Sequence, residues 1–273
     1  MEFKQADFSK DLLYTAINQL WRIVAGPLVL IFIPLYLTPT EQGYWYTFTS
    51  IAALAVFADL GFSTIILQFA AHEFAYLHFN DDMTLAGDKE HLIKIATFFR
   101  FSVQWLIRTV GVIFPLIVIG GYFFLASKNE LDNWQSAWVI YAVASGLVFF
   151  YSSLLYFFEG CNSVSLVQSL RFKIAVCTSL TILLGLYFQL NLYALSLSLI
   201  ISSAIGCYQL IHTFYRAIKQ LWRLSQGNKY DWWPEFSSLM WRYAISWSSG
   251  YFIFQLFTPL AFKFHSPIFA GKV

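Results

Sequence analysis

Residues 167–188 (VQSLRFKIAVCTSLTILLGLYF) and 192–214 (LYALSLSLIISSAIGCYQLIHTF) are two long apolar runs separated only by Gln189-Leu190-Asn191. The hydrocarbon core of a bilayer is about 30 Å thick, and roughly 20 residues of helix cross it. Each run is therefore long enough to span a membrane, and so short a connection makes the two helices antiparallel neighbours. The pair predicts a membrane-embedded helical hairpin.

Five more apolar runs of similar length lie near 12–37, 44–69, 101–125, 136–158 and 236–262. The composition agrees, since 58% of the 273 residues are apolar or aromatic and 12% are charged, about half the charged share of a typical soluble domain. Glu2 to Lys10 is mixed in charge and the first run is long enough to stay in the membrane, so no cleavable signal peptide is evident. Residues 88–99 are predicted to form an amphipathic helix on the inner membrane surface. We predict an all-α integral membrane protein.

Basic residues are distributed unequally between the two sides of the predicted bundle. With the N-terminus inside, 11 of the 17 lysines and arginines fall on the inner side, counting Arg171 and Lys173 at the inner end of the run 167–188. Three fall on the outer side and three lie within other spans. Cytoplasmic loops carry an excess of Lys and Arg, so this distribution predicts a cytoplasmic N-terminus. The inner group is Lys4, Lys10, Lys89, Lys94, Arg100, Arg171, Lys173, Arg216, Lys219, Arg223 and Lys229, and the outer group is Lys128, Lys263 and Lys272.

An internal repeat relates the two ends of the chain. At an offset of 220 residues, 11–39 aligns without gaps with 231–259; chance similarity between two apolar helices is the alternative explanation. A real repeat makes the seventh span the first helix of a second, parallel unit, as in some transporters. We therefore expect a six-helix lobe at 1–215, a cytoplasmic linker at 216–235, and the first helix of an incomplete second lobe at 236–273. The identities are Asp11/Asp231, Trp21/Trp241, Arg22/Arg242, Phe32/Phe252, Ile33/Ile253, Thr38/Thr258 and Pro39/Pro259.

Four charged residues are predicted to lie within spans, where each costs about 2.5–3.5 kcal/mol at the helix centre. Arg22 and Asp59 lie at similar depth, so they form either a structural ion pair or part of a cationic, proton-titratable cavity for an anionic substrate. Arg242 repeats Arg22, and Arg108 either reaches the inner headgroups or faces the lumen. A guanidinium donates two hydrogen bonds to phosphate, so the three arginines are candidate pyrophosphate ligands. Asp59 is the candidate coupling or ion-pair residue.

Enzyme chemistry, metal binding and nucleic-acid binding find little support in the sequence. No nucleophile–base pair, metal-ligand spacing or phosphate-binding glycine loop stands out, so neither a catalytic residue nor a cofactor is predicted. The three cysteines lie in or beside apolar runs without a CxxC pair, which is typical of small core residues. Asp81-Asp82 fits a solvated loop better than a metal-binding glycosyltransferase site. A net charge of +2 is too small to favour nucleic acid.

Two stretches of the chain resemble polysaccharide flippases. The turn Gln42-Gly43-Tyr44-Trp45, followed by Phe57-Ala58-Asp59-Leu60-Gly61-Phe62, is similar to a short region at the second span of that family. Residues 245–252 (ISWSSGYF) and the terminal Ala270-Gly271 resemble the start of its second lobe. By this resemblance the chain is identified as a member of the polysaccharide (O-antigen) flippase family, within the multidrug/oligosaccharidyl-lipid/polysaccharide exporter superfamily, truncated after the first lobe.

The resemblance implies two six-helix lobes around a cationic cavity that moves undecaprenyl-pyrophosphate-linked oligosaccharide from the inner to the outer leaflet, with Arg22 and Arg242 on the pyrophosphate. It also implies the bacterial cytoplasmic (inner) membrane, a role in O-antigen and lipopolysaccharide biosynthesis, and membrane lipids, polysaccharide polymerase and glycosyltransferases as partners. The alternatives are a cation-coupled small-molecule exporter of the same superfamily, a membrane glycosyltransferase or polymerase, and an inactive fragment. The short external loops argue against the glycosyltransferase, and the arginine pair argues against the exporter.

Overall fold

The chain folds into a bundle of helices, seen in a computed structural model that describes residues 8–128, 130–228 and 230–272. Because 83% of the structure is helical, the predicted all-α class is confirmed. Lys4 and Lys229, two of the basic residues counted for orientation, lie outside the described residues. The helices are α1 (Phe8–Tyr36), α2 (Pro39–Ala52), α3 (Val56–Asp59), α4 (Phe62–Phe74), α5 (Lys89–Ala126), α6 (Trp134–Gly160), α7 (Val164–Tyr187), α8 (Leu192–Leu224), α9 (Trp233–Phe254), α10 (Phe257–Phe264) and α11 (Pro267–Ala270).

Five of these helices, α1, α5, α6, α7 and α8, are long and apolar enough to cross a membrane. A sixth span is available if Pro39–Asp59 and Phe62–Phe74, which meet at an angle of 43°, count as one bent crossing. Their outward faces carry large apolar side chains, such as Leu35, 69% exposed, and Phe123, 71% exposed. Apolar surface of this extent suits hydrocarbon better than water. These candidate spans indicate a multi-pass membrane protein.

The second predicted span, 44–69, is not one continuous helix. α2 begins with a capping box, in which Thr38 Oγ1 accepts from Glu41 N and Thr38 N donates to Glu41 Oε2 at 2.8 Å. A 3₁₀ turn over 53–55 follows, and the helix then breaks at Leu60 and Gly61, which have positive φ angles of 45° and 78°. Glycine adopts this left-handed conformation at little cost. The span is therefore bent at the Asp59-Leu60-Gly61 motif.

The seventh predicted span, 236–262, is also interrupted. Among the described helices, neither α9 nor α10 is counted as long and apolar enough to span, and they are separated at Gln255 and Leu256. Arg242 and a series of serines reduce the apolar content of α9. The outer ends of the sequence repeat differ too, because Thr38-Pro39 starts α2 whereas Thr258-Pro259 lies inside α10, in its first turn. A second parallel lobe stays a prediction.

α5 and α8 are longer than a bilayer requires. They contain 38 and 33 residues, roughly 57 and 50 Å at 1.5 Å per residue. The predicted surface helix at 88–99 is wrong, since these residues form the first turns of α5 and continue into the predicted third span. Asp88 caps them by accepting from the backbone N–H groups of Glu90 and His91. Most of their apolar side chains, including Ile95 and Phe98, are buried in the protein and not available to lipid, although Ile93 is exposed.

A small hairpin of β1 (Leu77–Phe79) and β2 (Leu85–Gly87) connects α4 to α5. The amide side chain of Gln220 on α8 pairs with it: Leu85 N donates to Gln220 Oε1 at 2.7 Å, and Gln220 Nε2 donates to Leu85 O at 2.8 Å. In the turn, Asp82 accepts two hydrogen bonds from Thr84 and lies 3.7 Å from Arg216 of α8. The Thr84 hydrogen bonds, with a smaller contribution from Arg216, lower the pKa of Asp82. The contacts of Gln220 with Leu85 and of Arg216 with Asp82 attach the hairpin to α8.

Two buried clusters hold the helices together, one at each end of the bundle. The first lies next to the connections 75–88 and 225–232, and within it Phe158 and Phe214 stack with ring centroids 3.9 Å apart. α8 kinks at Phe214 (φ −108°, ψ 15°), just before the predicted lobe boundary at 215. The second cluster lies next to the connections at the opposite end and includes Tyr44, Trp138 and Phe262.

α4 and α6 approach each other closely at Gly160. A Cβ at this position would lie 2.5 Å from the Leu67 carbonyl oxygen and 2.9 Å from the Ala70 Cβ. Because a backbone carbonyl cannot rotate aside, Gly160→Ala has to separate the helices, and we expect it to lower the free energy of unfolding by about 1–3 kcal/mol. Thermal unfolding in detergent, followed by tryptophan fluorescence, measures the effect.

Gly111→Ala on α5 is the matched control. A Cβ at Gly111 meets no atom within 4 Å, and alanine is favoured over glycine in a helix by up to about 1 kcal/mol. Its melting temperature is expected to stay level or rise slightly. Equal melting temperatures for the two variants would contradict the close packing of α4 on α6.

Candidate functional site

The four residues predicted to form the site lie on four different helices. Arg22 lies on α1, Asp59 at the end of α3, Arg108 on α5 and Arg242 on α9. The three arginines are exposed and Asp59 is partly buried. Among the side chains that the structure describes, no ion pair or hydrogen bond joins any two of these four. The Arg22–Asp59 ion pair considered from the sequence is therefore not formed.

Arg22 lies on the open side of α1, because its neighbour Trp21 is the residue that anchors this turn to α7. Trp21 Nε1 donates to Ser179 Oγ at 3.2 Å, and the indole packs edge-on against Phe172 with ring centroids 6.2 Å apart. α1 packs mainly against α7 and leaves much of its remaining surface uncovered. The Arg22 guanidinium has no hydrogen-bond or ion-pair partner within the described part of the chain.

Arg242 lies beside the break in the second span. Its neighbour Tyr243 packs on Gly61 so closely that a Cβ at Gly61 would lie 2.2 Å from the Tyr243 Cβ. The Tyr243 hydroxyl accepts from Gln68 Nε2 at 2.9 Å, which ties α9 to α4. The Arg242 guanidinium lies 5.6 Å from the centre of the Trp241 ring, a cation–π distance. The structure therefore brings the turn of α9 that carries Arg242 to the helix break through Tyr243, and it leaves the Arg242 side chain exposed.

Asp59 closes the break in the second span. Its Oδ1 accepts from Ser63 N at 3.1 Å and from Ser63 Oγ at 2.6 Å, so it caps the start of α4. Ser63 Oγ also lies 3.1 Å from Ser153 Oγ on α6, which connects the break to the bundle core. Asp59 thus has a structural role as a cap, and it has no basic partner among the residues described.

Arg108 lies far from the end of α5 that holds Ala126. The separation is 18 residues, roughly 27 Å of helix, which is close to the full thickness of a hydrocarbon core. A long side chain there can extend to an interface, and headgroup contact by Arg108 stays a prediction, as does a lumen-facing position. The structure shows no contact between Arg108 and the other candidate residues in the described ranges.

A polar network that the sequence did not predict joins α1, α6 and α7. Asn18 Nδ2 donates to Gln168 Oε1 at 2.9 Å, and Gln168 Nε2 donates to Glu159 Oε1 at 2.8 Å. Arg171 Nη2 lies 2.9 Å from Glu159 Oε2, and its guanidinium lies 4.4 Å from the centre of the Tyr156 ring. Asn18 and Gln168 are only 3% and 8% exposed. The network is therefore a largely buried connection between the outermost helix and the core.

A short connection explains how the ion pair of this network forms. α6 ends at Gly160 and α7 begins at Val164, so Glu159 lies at the end of one helix and Arg171 two turns into the next. Their long side chains meet at 2.9 Å. Asp11 of α1 joins the same region by accepting from Ser165 N at 2.8 Å. Opposite charges on either side of a short helix connection were the signal available in the sequence.

A second polar cluster lies at the end of the bundle that holds the β-hairpin. Glu73 is buried, and its carboxylate oxygens lie 3.2 Å from His72 Nδ1 and 2.8 Å from His91 Nδ1. The His91 ring also stacks on Tyr76 with centroids 3.9 Å apart. Within the described ranges, no group of three or more His, Cys, Asp or Glu side chains is arranged to hold a metal ion.

No protein-family model matches the chain, and no curated protein or solved structure matches it either. The likeness to polysaccharide flippases therefore stays a prediction from short stretches of sequence.

The Glu159–Arg171 pair offers a test of the network. Because removing one partner leaves the other charge largely buried, we expect Arg171→Met to lower the free energy of unfolding by about 3 kcal/mol. Adding Glu159→Gln to that variant removes the stranded charge and is expected to restore most of the loss. Chemical unfolding in mixed micelles, run as a double-mutant cycle, measures both changes.

Lys94→Met is the control, since Lys94 pairs with Glu90 at 2.8 Å on an exposed stretch of α5. A pair of that kind contributes about 0.5 kcal/mol or less. A loss for Arg171→Met no larger than the loss for Lys94→Met would refute the structural role of the network.

Proposed function

We propose that the chain is a multi-pass protein of the bacterial cytoplasmic membrane, with a cytoplasmic N-terminus, and that it moves undecaprenyl-pyrophosphate-linked oligosaccharide from the inner to the outer leaflet. The observation that carries the proposal is that Arg22 and Arg242 are exposed on helices predicted as spans and have no acidic partner among the described residues. Arg171, by contrast, is paired with Glu159. An arginine left unpaired in apolar surroundings needs an anion from outside the chain.

The chemistry of the two arginines favours a pyrophosphate. Each planar guanidinium can donate two parallel hydrogen bonds to phosphoryl oxygens, so two of them match the two phosphoryl groups. The tryptophan before each arginine contributes differently: Trp21 is hydrogen-bonded to Ser179, while Trp241 lies under the Arg242 guanidinium.

The break at Asp59 supports a transporter over a static membrane anchor. Discontinuous helices commonly form the substrate and ion sites of transporters, because helix ends in the membrane expose backbone groups and a partial charge. α4 starts at such an end, where Asp59 accepts from the backbone N–H of Ser63. Arg242 lies on the helix that packs against this break. We propose that the helix break and Arg242 belong to one site, and that Arg108 contacts lipid headgroups.

Further parts of the proposal concern chemistry and partners. We propose a carrier with no catalytic residue and no cofactor, working beside a polysaccharide polymerase and glycosyltransferases in O-antigen and lipopolysaccharide biosynthesis. A cation-coupled small-molecule exporter of the same superfamily is the second candidate. The observation in its favour is Asp59, an acidic side chain of a candidate span with no basic partner among the described residues.

Binding of a polyprenyl pyrophosphate tests the role of the arginines. In nanodiscs of zwitterionic lipid, the full chain is expected to bind geranylgeranyl pyrophosphate more tightly than geranylgeraniol. Arg22→Gln and Arg242→Gln should each weaken pyrophosphate binding by about tenfold or more, since each removes charge-assisted hydrogen bonds worth about 1.5–3 kcal/mol. Arg22→Lys should be intermediate, because it keeps the charge and loses the planar fork. Isothermal titration calorimetry measures the dissociation constants.

Arg223→Gln is the matched control, as Arg223 is exposed near the end of α8 and belongs to none of the proposed contacts. It is expected to bind like the unchanged chain. The pyrophosphate proposal fails if the Arg22 and Arg242 variants bind geranylgeranyl pyrophosphate as tightly as Arg223→Gln does. It also fails if each Arg22 and Arg242 variant restores normal surface polysaccharide to a strain that lacks its own flippase.

Two substitutions at Asp59 separate a coupling role from a capping role. Asp59→Asn can still accept from the α4 backbone but loses the charge, whereas Asp59→Ala loses the cap at a cost of about 1 kcal/mol. If Asp59 couples transport to protons, both variants should stop restoring surface polysaccharide, and only Asp59→Ala should melt at lower temperature. Full restoration by Asp59→Asn would exclude the coupling role and leave the cap.

A further inference from the structure

An apolar groove of about 640 Å³ lies between α2 with its following 3₁₀ turn, α5, and the α9–α10 segment. Its volume is within the range of roughly 300–1,000 Å³ found for small-molecule sites. The groove is lined almost entirely by hydrocarbon, and Lys263 is the one charged side chain among the described residues that line it. Representative lining residues are Leu54, Phe57, Ile113, Gly120, Tyr251 and Leu260.

The depth of the groove matches one leaflet of a bilayer. Along α5 its lining extends from Ile113 to Phe124, a separation of roughly 16 Å at 1.5 Å per residue. Half of a hydrocarbon core is about 15 Å. Phe124 lies two residues before the end of α5 at Ala126, so the groove extends from the level of the helix ends to the middle of the candidate span.

Two lysines place positive charge at the outer end of this groove. Lys263 lies 6.0 Å from the centre of the Phe124 ring. Lys128 donates to the backbone carbonyl of His265, two residues after Lys263, at 3.1 Å. Neither ammonium forms an ion pair with an acid of the described chain. Positive charge at the interface end and hydrocarbon below it are complementary to a lipid with an anionic headgroup.

We propose that this groove holds one acyl chain of an anionic phospholipid, with the headgroup phosphate at Lys263 and Lys128. A bilayer lipid carries its phosphate at the level of the helix ends and its chain toward the midplane, which is the arrangement of charge and apolar surface in this groove. The proposal rests on the membrane location proposed above and not on the cargo, so loss of pyrophosphate binding would not affect it.

Gly120 allows the groove to be filled without disturbing the fold. A Cβ at Gly120 meets no atom within 4 Å, so Gly120→Phe introduces a ring into the groove and not into packed protein. Gly111→Phe is the matched control, because Gly111 lies on the same helix, is equally free of neighbours, and does not line the groove. For the charge, Lys263→Gln is compared with Lys272→Gln, whose side chain is exposed and is not among the lining residues.

The experiment measures lipids retained by the full chain in detergent, using native mass spectrometry with dioleoyl phosphatidylglycerol and dioleoyl phosphatidylcholine. We expect preferential retention of phosphatidylglycerol by the unchanged chain and by both controls. Lys263→Gln should reduce that preference by roughly fivefold, the effect of one lysine near an anionic headgroup. Gly120→Phe should abolish retention of both lipids at this site.

Three results would overturn the proposal. One is equal retention of the two lipids by the unchanged chain, and another is undiminished phosphatidylglycerol binding by Gly120→Phe. The third is displacement of phosphatidylglycerol by equimolar geranylgeranyl phosphate in the unchanged chain, combined with loss of geranylgeranyl phosphate binding in Gly120→Phe. That result would assign the groove to a polyprenyl chain. Melting temperatures of Gly120→Phe and Gly111→Phe that agree within error show that lipid loss does not reflect unfolding.

Discussion

A backbone amide surrounded by hydrocarbon has no water to bond with, so a chain in that environment satisfies its N–H and C=O groups internally. Long helices do most of this here, and side chains complete it at several helix starts. Thr38 and Glu41 close the start of α2, Asp59 closes the start of α4, and Asp88 closes the start of α5. The same demand explains why Asp59 bonds to Ser63 and not to Arg22. Its carboxylate is needed at the break in its own span.

The cost of a charge in apolar surroundings also divides the basic residues into two groups. Arg171 is satisfied inside the protein by Glu159 and the face of Tyr156, and Asn18 and Gln168 extend that network to α1. Arg22, Arg242 and Lys263 have no internal acid among the described residues. The proposed anions, a pyrophosphate and a phospholipid phosphate, are assigned to this second group. One rule therefore separates the residues that hold the bundle together from those proposed to meet ligands.

The sequence predicted the helical hairpin of α7 and α8 well, because hydropathy and a short polar connection are local properties. The predicted run 167–188 corresponds to α7, Val164–Tyr187, and the next helix starts at Leu192 as expected. The breaks at Leu60-Gly61 and at Gln255-Leu256 were missed, since an average over an apolar window passes across them. Both depend on distant partners: Gly61 fits beneath Tyr243, and Gln255 accepts from Ser50 of α2 at 3.2 Å. The positions of the candidate arginines on the helices were predicted, but their surroundings were not.

Composition and spacing by themselves determined that this chain is helical and has several segments able to cross a membrane. Whether a helix can span depends only on its own length and hydrophobicity. Only the tertiary structure decided which charged side chains are paired. Arg171 and Arg22 are both arginines of predicted spans or their ends, yet one is neutralised by Glu159 and the other is left exposed. That difference depends on which helix packs against which, here α6 on α7 and α1 on the outer side of α7. Pairing is a contact over a few ångströms, and it is set by how the helices pack together.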